Sequence, residues 1–227
     1  MKNLIIALSI FTLAGLASAN VTVVPTGSGY TTGIGGEFTV SGIPNVLSFY
    51  DDVAKVGNGF QSFCLERNEN LPINNLPYTI DDVAKQGGAG GPKPDPLSDA
   101  TKWLYLQFAQ GALAGYDYTP GAGREASAGL LQNTIWYLEE EWAISNVSDS
   151  KYLDAAAAAL GIDVSNGYGI LQTTVNSTFL PYVKVMNPYD GATHKQSQLI
   201  IVPTPGALLL STMGISLVGW LRRRKMV

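Results

Sequence analysis

Apolar residues alternate with polar ones in short runs at both ends of the central part of the chain, and recur every three or four positions in its middle. Phe38 and Val40 alternate within 36–41, and apolar runs at 21–24, 46–50 and 60–65 predict three further strands. After a glycine-rich break at 87–91 the period becomes helical. Asp95 is placed to cap a helix with Pro96 at its first position, whose apolar face (Leu97, Trp103, Leu104, Leu106, Phe108) runs out at Gly111. A second helix is predicted over 125–142, with Leu131, Ile135, Leu138 and Trp142 on one face. A third covers 149–160 and stops at Gly161. Strands return at 182–186 and 198–202. This order predicts an α+β body: a mainly β part, sandwich or barrel-like, built from both ends of the body, with helices inserted between. No internal repeat is present.

Two terminal segments stand apart. Residues 1–19 combine Lys2, an apolar run at 4–16 and the small-residue triplet Ala17-Ser18-Ala19, which reads as a secretory signal peptide with a mature chain from Asn20. Near the other end Pro203 and Pro205 interrupt the chain, and 206–221 carries no charged residue until Arg222, Arg223, Arg224 and Lys225. Those 16 positions make a helix of about 24 Å at 1.5 Å per residue, against a hydrocarbon core of about 30 Å. Trp220 and the long arginine side chains make up the difference, with the basic end cytoplasmic. The Pro-x-Pro motif, the short apolar helix and the terminal arginine cluster together resemble the PEP-CTERM sorting signal, with Thr204 where that family has glutamate. The resemblance implies processing by an exosortase-type enzyme, membrane contact through the C-terminal helix, and a final place at the surface or in the extracellular matrix of a Gram-negative bacterium. An ordinary C-terminal membrane anchor is the plainer alternative. The expected organisation is a signal peptide at 1–19, an extracellular body at 20–201 and a sorting signal at 202–227.

Charge then narrows the function of the body. All 18 acidic residues lie within it but only nine of the 14 basic ones, a formal balance of −9, which argues against nucleic-acid binding. The single histidine, His194, falls in a polar loop and reads as solvated, so Cys/His catalysis lacks its base and enzymatic turnover is not expected. One cysteine and one histidine cannot close a zinc site, and Asp51-Asp52 and Asp81-Asp82 lack the spacing of a calcium loop, so no metal or other cofactor is expected. The glycine run at 87–91 has no Lys-Ser/Thr after it and reads as a loop. Glu139-Glu140-Glu141 reads as a charged helix face.

Cys64 is the only cysteine, so an internal disulfide is impossible, and an unpaired thiol outside the cytoplasm calls for a reason. It sits in Phe63-Cys64-Leu65-Glu66, and Leu131-Gln132-Asn133-Thr134-Ile135-Trp136 follows 68 residues later. The two blocks resemble the paired signatures of bacterial thioester domains, in which a Cys before an apolar residue and an acid joins a Gln on a helix. The resemblance implies a cross-link between Cys64 and Gln132 within surroundings that include Phe63, Glu66 and Trp136. The chemistry suits these side chains in its own right. A thiol held against a carboxamide can expel ammonia to give a thioester, provided that fixed geometry supplies effective molarity and burial excludes water. A surface amine, such as a partner's lysine, would then displace the sulfur and become bonded to Gln132. The expected product is a single-use covalent tether for adhesion or cross-linking. A passive matrix or biofilm protein with a buried inert cysteine is the alternative. Glu66 either fixes a nearby amide or is a solvated carboxylate.

Overall fold

The computed structural model describes residues 20–203 apart from 33, 34, 70, 72, 87–89 and 91. The expected signal segment, Pro205, the apolar stretch and the basic cluster all lie outside those residues, as does most of the glycine run. Among the described residues no helix is long and apolar enough to cross a membrane.

Strand β1 (Asn20–Pro25) buries Val21 and Val23 on one face, as period-two alternation requires. A two-residue-per-strand hairpin follows, β2 (Thr31–Thr32) and β3 (Gly35–Gly36), and then β4 (Phe38–Ser41), which pairs antiparallel with β1 through Val23 and Val40. Next come β5 (Lys55–Val56) and β6 (Gly59–Ser62). The segment 46–50, expected to be a strand, is instead a 3-10 turn at Leu47–Phe49. Only Val46 and Tyr50 are buried within it, a spacing of four rather than two, and Asn45 before it takes a left-handed φ of 66°.

Strand β7 (Ile73–Asp81) has no counterpart in the sequence reading, although it lies mid-sheet between β1 and a later strand. Asn74, Asn75 and Pro77 read as turn residues. The strand absorbs them with a bulge: Val21 faces Leu76 while Val23 faces Ile73, so β7 carries one residue more than β1 there. Asn75 sits at φ 53° and its amide donates to Thr22 Oγ1 at 3.2 Å. β8 (Val83–Ala84) then pairs with β9 (Asp95–Pro96).

The helices occupy the middle of the chain, as expected, with different ends. α1 (Asp99–Ala109) is capped by Ser98, whose Oγ accepts from the Thr101 amide at 3.1 Å; Asp95 and Pro96 belong to β9 instead. α2 (Ala122–Leu138) ends four residues short of the expected 142, because Glu140 turns to φ 60°. Glu139 and Glu141 are therefore buried rather than forming a charged face. Glu139 Oε1 accepts from the amide and hydroxyl of Ser98 at 3.3 and 2.9 Å, so the end of α2 is tied to the start of α1. α3 (Lys151–Leu160) stops at Gly161, left-handed at φ 65°, and a short α4 (Gly169–Thr173) follows.

Strands β10 (Val183–Asp190), β11 (Thr193–His194) and β12 (Gln198–Ile201) complete an antiparallel sheet in the order β11-β10-β7-β1-β4-β6-β5, with β12 also on β10. The pairing then returns on itself. Cys64, two residues beyond β6, bridges Gln198 of β12. The Leu65 amide donates to the Ser197 carbonyl at 3.1 Å and the Leu199 amide to the Phe63 carbonyl at 3.2 Å. The chain is thus α+β, and its sheet has a seam where residues 63–65 meet 197–199. His194, expected in a solvated loop, is part of β11 and half-buried, with Nδ1 buried.

Candidate functional site

The seam carries the cysteine. Strand alternation sends Phe63 and Cys64 to opposite faces: Phe63 packs edge-on against Phe108 of α1, ring centroids 4.9 Å apart, whereas Cys64 lines a cleft on the other side. Gln132 comes to the same place from α2. Its neighbours Leu131 and Ile135 are fully buried in the core, and Gln132 itself has no exposed surface. Its carboxamide grips the cysteine peptide at both ends, with the Cys64 amide donating to Oε1 at 3.1 Å and Nε2 donating to the Cys64 carbonyl at 2.9 Å.

The hairpin β2–β3 lies on this part of α2, and glycines permit the approach. A Cβ at Gly35 would sit 2.8 Å from Gln132 Cγ and 3.1 Å from Trp136 Cη2, and one at Gly129 would meet Thr32 Oγ1 at 2.7 Å. The hairpin is pinned from below as well. Glu37 accepts from Arg124 Nε and a terminal nitrogen at 2.6 and 2.7 Å and from Tyr116 Oη at 2.7 Å, all out of solvent. Gly29 donates its amide to Glu125 Oε1 at 2.6 Å.

A cleft of about 210 Å³ borders Cys64, with Thr32 and Gly35 of the hairpin and Phe38, Arg67, Glu69, Trp136 and Gln196 among its walls. Trp136 stacks on Trp142 at 5.3 Å, and the Arg67 guanidinium lies 3.7 Å over the Trp142 ring. Of the aromatics expected around the cysteine, Trp136 borders the cleft and Phe63 does not; Phe38 takes that place.

Glu66 is buried, not solvated. The Ser197 amide donates to Oε2 at 2.6 Å, and Ser197 Oγ lies 2.6 Å from Oε1. Burial raises its carboxyl to about 7. The local hydrogen count agrees. Asn187 has its nitrogen committed to the Val83 carbonyl, so its Oδ1, 2.8 Å from Ser197 Oγ, takes the serine's only proton. A proton on Glu66 then supplies the contact between Oε1 and the hydroxyl.

The sulfur has a further neighbour that the sequence reading did not single out. Gln198, fully buried, directs Nε2 to Cys64 Sγ at 3.3 Å. Its Oε1, Gln196 Oε1 and Trp136 Nε1 are buried without a hydrogen-bond partner among the described residues. Burial pushes the Cys64 thiol far above its ordinary value, with the Gln198 donor opposing the rise. The thiol is thus buried and neutral, with the Gln198 carboxamide beside it. No group of three or more metal-ligating side chains occurs among the described residues. Of the sorting-signal residues only Pro203 is described, beside Phe49 and Tyr182 at a separate apolar hollow. No family model, curated protein or solved structure matches the chain.

Proposed function

We propose that the chain is an exported surface or extracellular-matrix protein. Its Cys64 and Gln132 condense to an internal thioester, which a surface amine of a partner then opens to leave a covalent bond to Gln132. The observation that carries the reading is the double hydrogen bond between the Gln132 carboxamide and the Cys64 backbone, which fixes the Gln132 side chain on the cysteine residue in a buried site. Fixed proximity and exclusion of water are the two conditions the condensation needs. The β part is read as barrel-like, on the strength of the pairing that returns through Cys64 and Gln198. Export through 1–19, retention by the apolar stretch at 206–221, and processing at Pro203 and Pro205 by an exosortase-type enzyme belong to the same proposal and rest on the sequence. The protein acts once per molecule, without turnover or cofactor.

Intact-protein mass spectrometry tests it. The folded body should be lighter than its encoded mass by one ammonia, and methylamine should then add in full, leaving the body one methylene heavier than encoded with the adduct on Gln132. A body of full encoded mass whose Cys64 alkylates after unfolding would end the thioester reading. One observation favours a second reading, a passive structural protein: the same two hydrogen bonds satisfy Gln132 and the Cys64 peptide without any reaction, and burial keeps the thiol neutral.

A further inference from the structure

We propose that Gln198 is a catalytic residue of this chemistry, its carboxamide holding the Cys64 sulfur as the group that departs when an amine opens the thioester. The inference rests on the thioester reading of the same site. Gln198 Nε2 lies 3.3 Å from Sγ, and the seam fixes it there, through the Cys64–Gln198 bridge and the flanking bonds of Leu65 and Leu199. In the opening step the amine nitrogen attacks Gln132 Cδ. The new C–N bond forms, the Cδ–Sγ bond breaks with its electron pair going to sulfur, and the amine's proton ends on Sγ. Negative charge gathers on the sulfur meanwhile, in a place where burial disfavours it, and the Gln198 N–H is the donor aimed at that atom. The condensation runs the sulfur through the opposite change: thiol proton and carboxamide nitrogen leave together as ammonia.

That Oε1 has no hydrogen-bond partner among the described residues separates this role from packing. A glutamine kept only to fill space would not leave a buried oxygen unpaired beside a sulfur, since an apolar residue of similar size costs less. The donor already lies on the sulfur in the thiol, so no reorientation is needed when negative charge gathers there.

The experiment follows methylamine addition by intact mass in the wild type, Gln198→Leu and Gln198→Glu, with melting curves for each. The leucine variant should react about 100- to 1,000-fold more slowly, as removal of one aligned donor does elsewhere. The glutamate variant keeps the shape and donates only while protonated, so its rate relative to wild type should fall as pH rises. This ratio decides the matter if the leucine variant fails to fold or to form the ester. A leucine variant reacting at the wild-type rate, a glutamate ratio independent of pH, or peptide mapping that finds the acyl group on Gln198 overturns the proposal while leaving the thioester intact. A wild-type body without the mass deficit overturns both.

Discussion

The carboxamide of Gln132 brackets the peptide of Cys64, taking its N–H at 3.1 Å and giving a hydrogen to its carbonyl at 2.9 Å, with both residues out of solvent. An α-helix and a strand end 68 residues apart are joined there by a side chain that behaves as one more strand partner.

Replacing Gln132 by leucine strands that N–H and that carbonyl in the core. Each lost partner costs about 1–3 kcal/mol, so urea unfolding should show a loss of several kcal/mol. A loss below about 1 kcal/mol would mean that the Cys64 peptide finds other partners.

Gly35→Ala drives a methyl into Gln132 and Trp136 and should cost about 1–3 kcal/mol, through displacement of the hairpin from α2. Gly169→Ala, whose nearest neighbour is Gln172 Oε1 at 3.7 Å, is the matched control and should be close to neutral. Equal melting temperatures for the two variants would remove the hairpin's tight seat on α2 from the account.

Arg124→Met leaves the Glu37 carboxylate buried without its counter-charge, with Tyr116 Oη still donating to it. Removing one partner of such a pair costs about 3–5 kcal/mol, whereas the double variant Glu37→Met/Arg124→Met should recover much of the loss. Additive single losses in a double-mutant cycle would count against the pair.

Three buried carboxyls set the pH response: burial raises Glu66 and Glu139 to about 7 and Asp95 to about 8. Each binds its proton more tightly folded than unfolded, so its contribution is fully present below the ordinary carboxyl value and is lost as pH rises through 7 to 8. The melting temperature should therefore decline from about pH 5 to pH 8. Glu66→Gln and Glu139→Gln should each flatten the slope. A melting temperature rising over that range would refute the burial of these groups in protonated form.

The parts of the fold legible in the sequence are those where burial and periodicity agree. Strands β1 and β4, the third helix with its Gly161 stop, and the buried face around Leu131 and Ile135 all fall in this group. β7 escaped because its partners tolerate what local rules forbid: a bulge takes up Asn75, and Pro77 sits opposite Asn20 at the end of β1. Asp95-Pro96 mimics a helix start, whereas the cap of α1 is made by Ser98 with Thr101. At the site, Cys64 and Gln132 were visible as paired blocks. Gln198 and Gly35 were not, since a glutamine opening a strand and a glycine in a glycine-rich stretch carry no local signal until the sheet brings 198 beside 64 and the hairpin onto α2.

The seam also fixes an order of events. Cys64 meets its strand partner 134 residues further along the chain, and the four α-helices of the described residues lie between them. A chain emerging from its N-terminus therefore carries a sulfur with an incomplete surround until 196–201 arrive, because contacts so distant in sequence pay their loop-closure entropy last. Completion of the final strand acts as a timer: the pocket around the cysteine exists only in a body already made to its end.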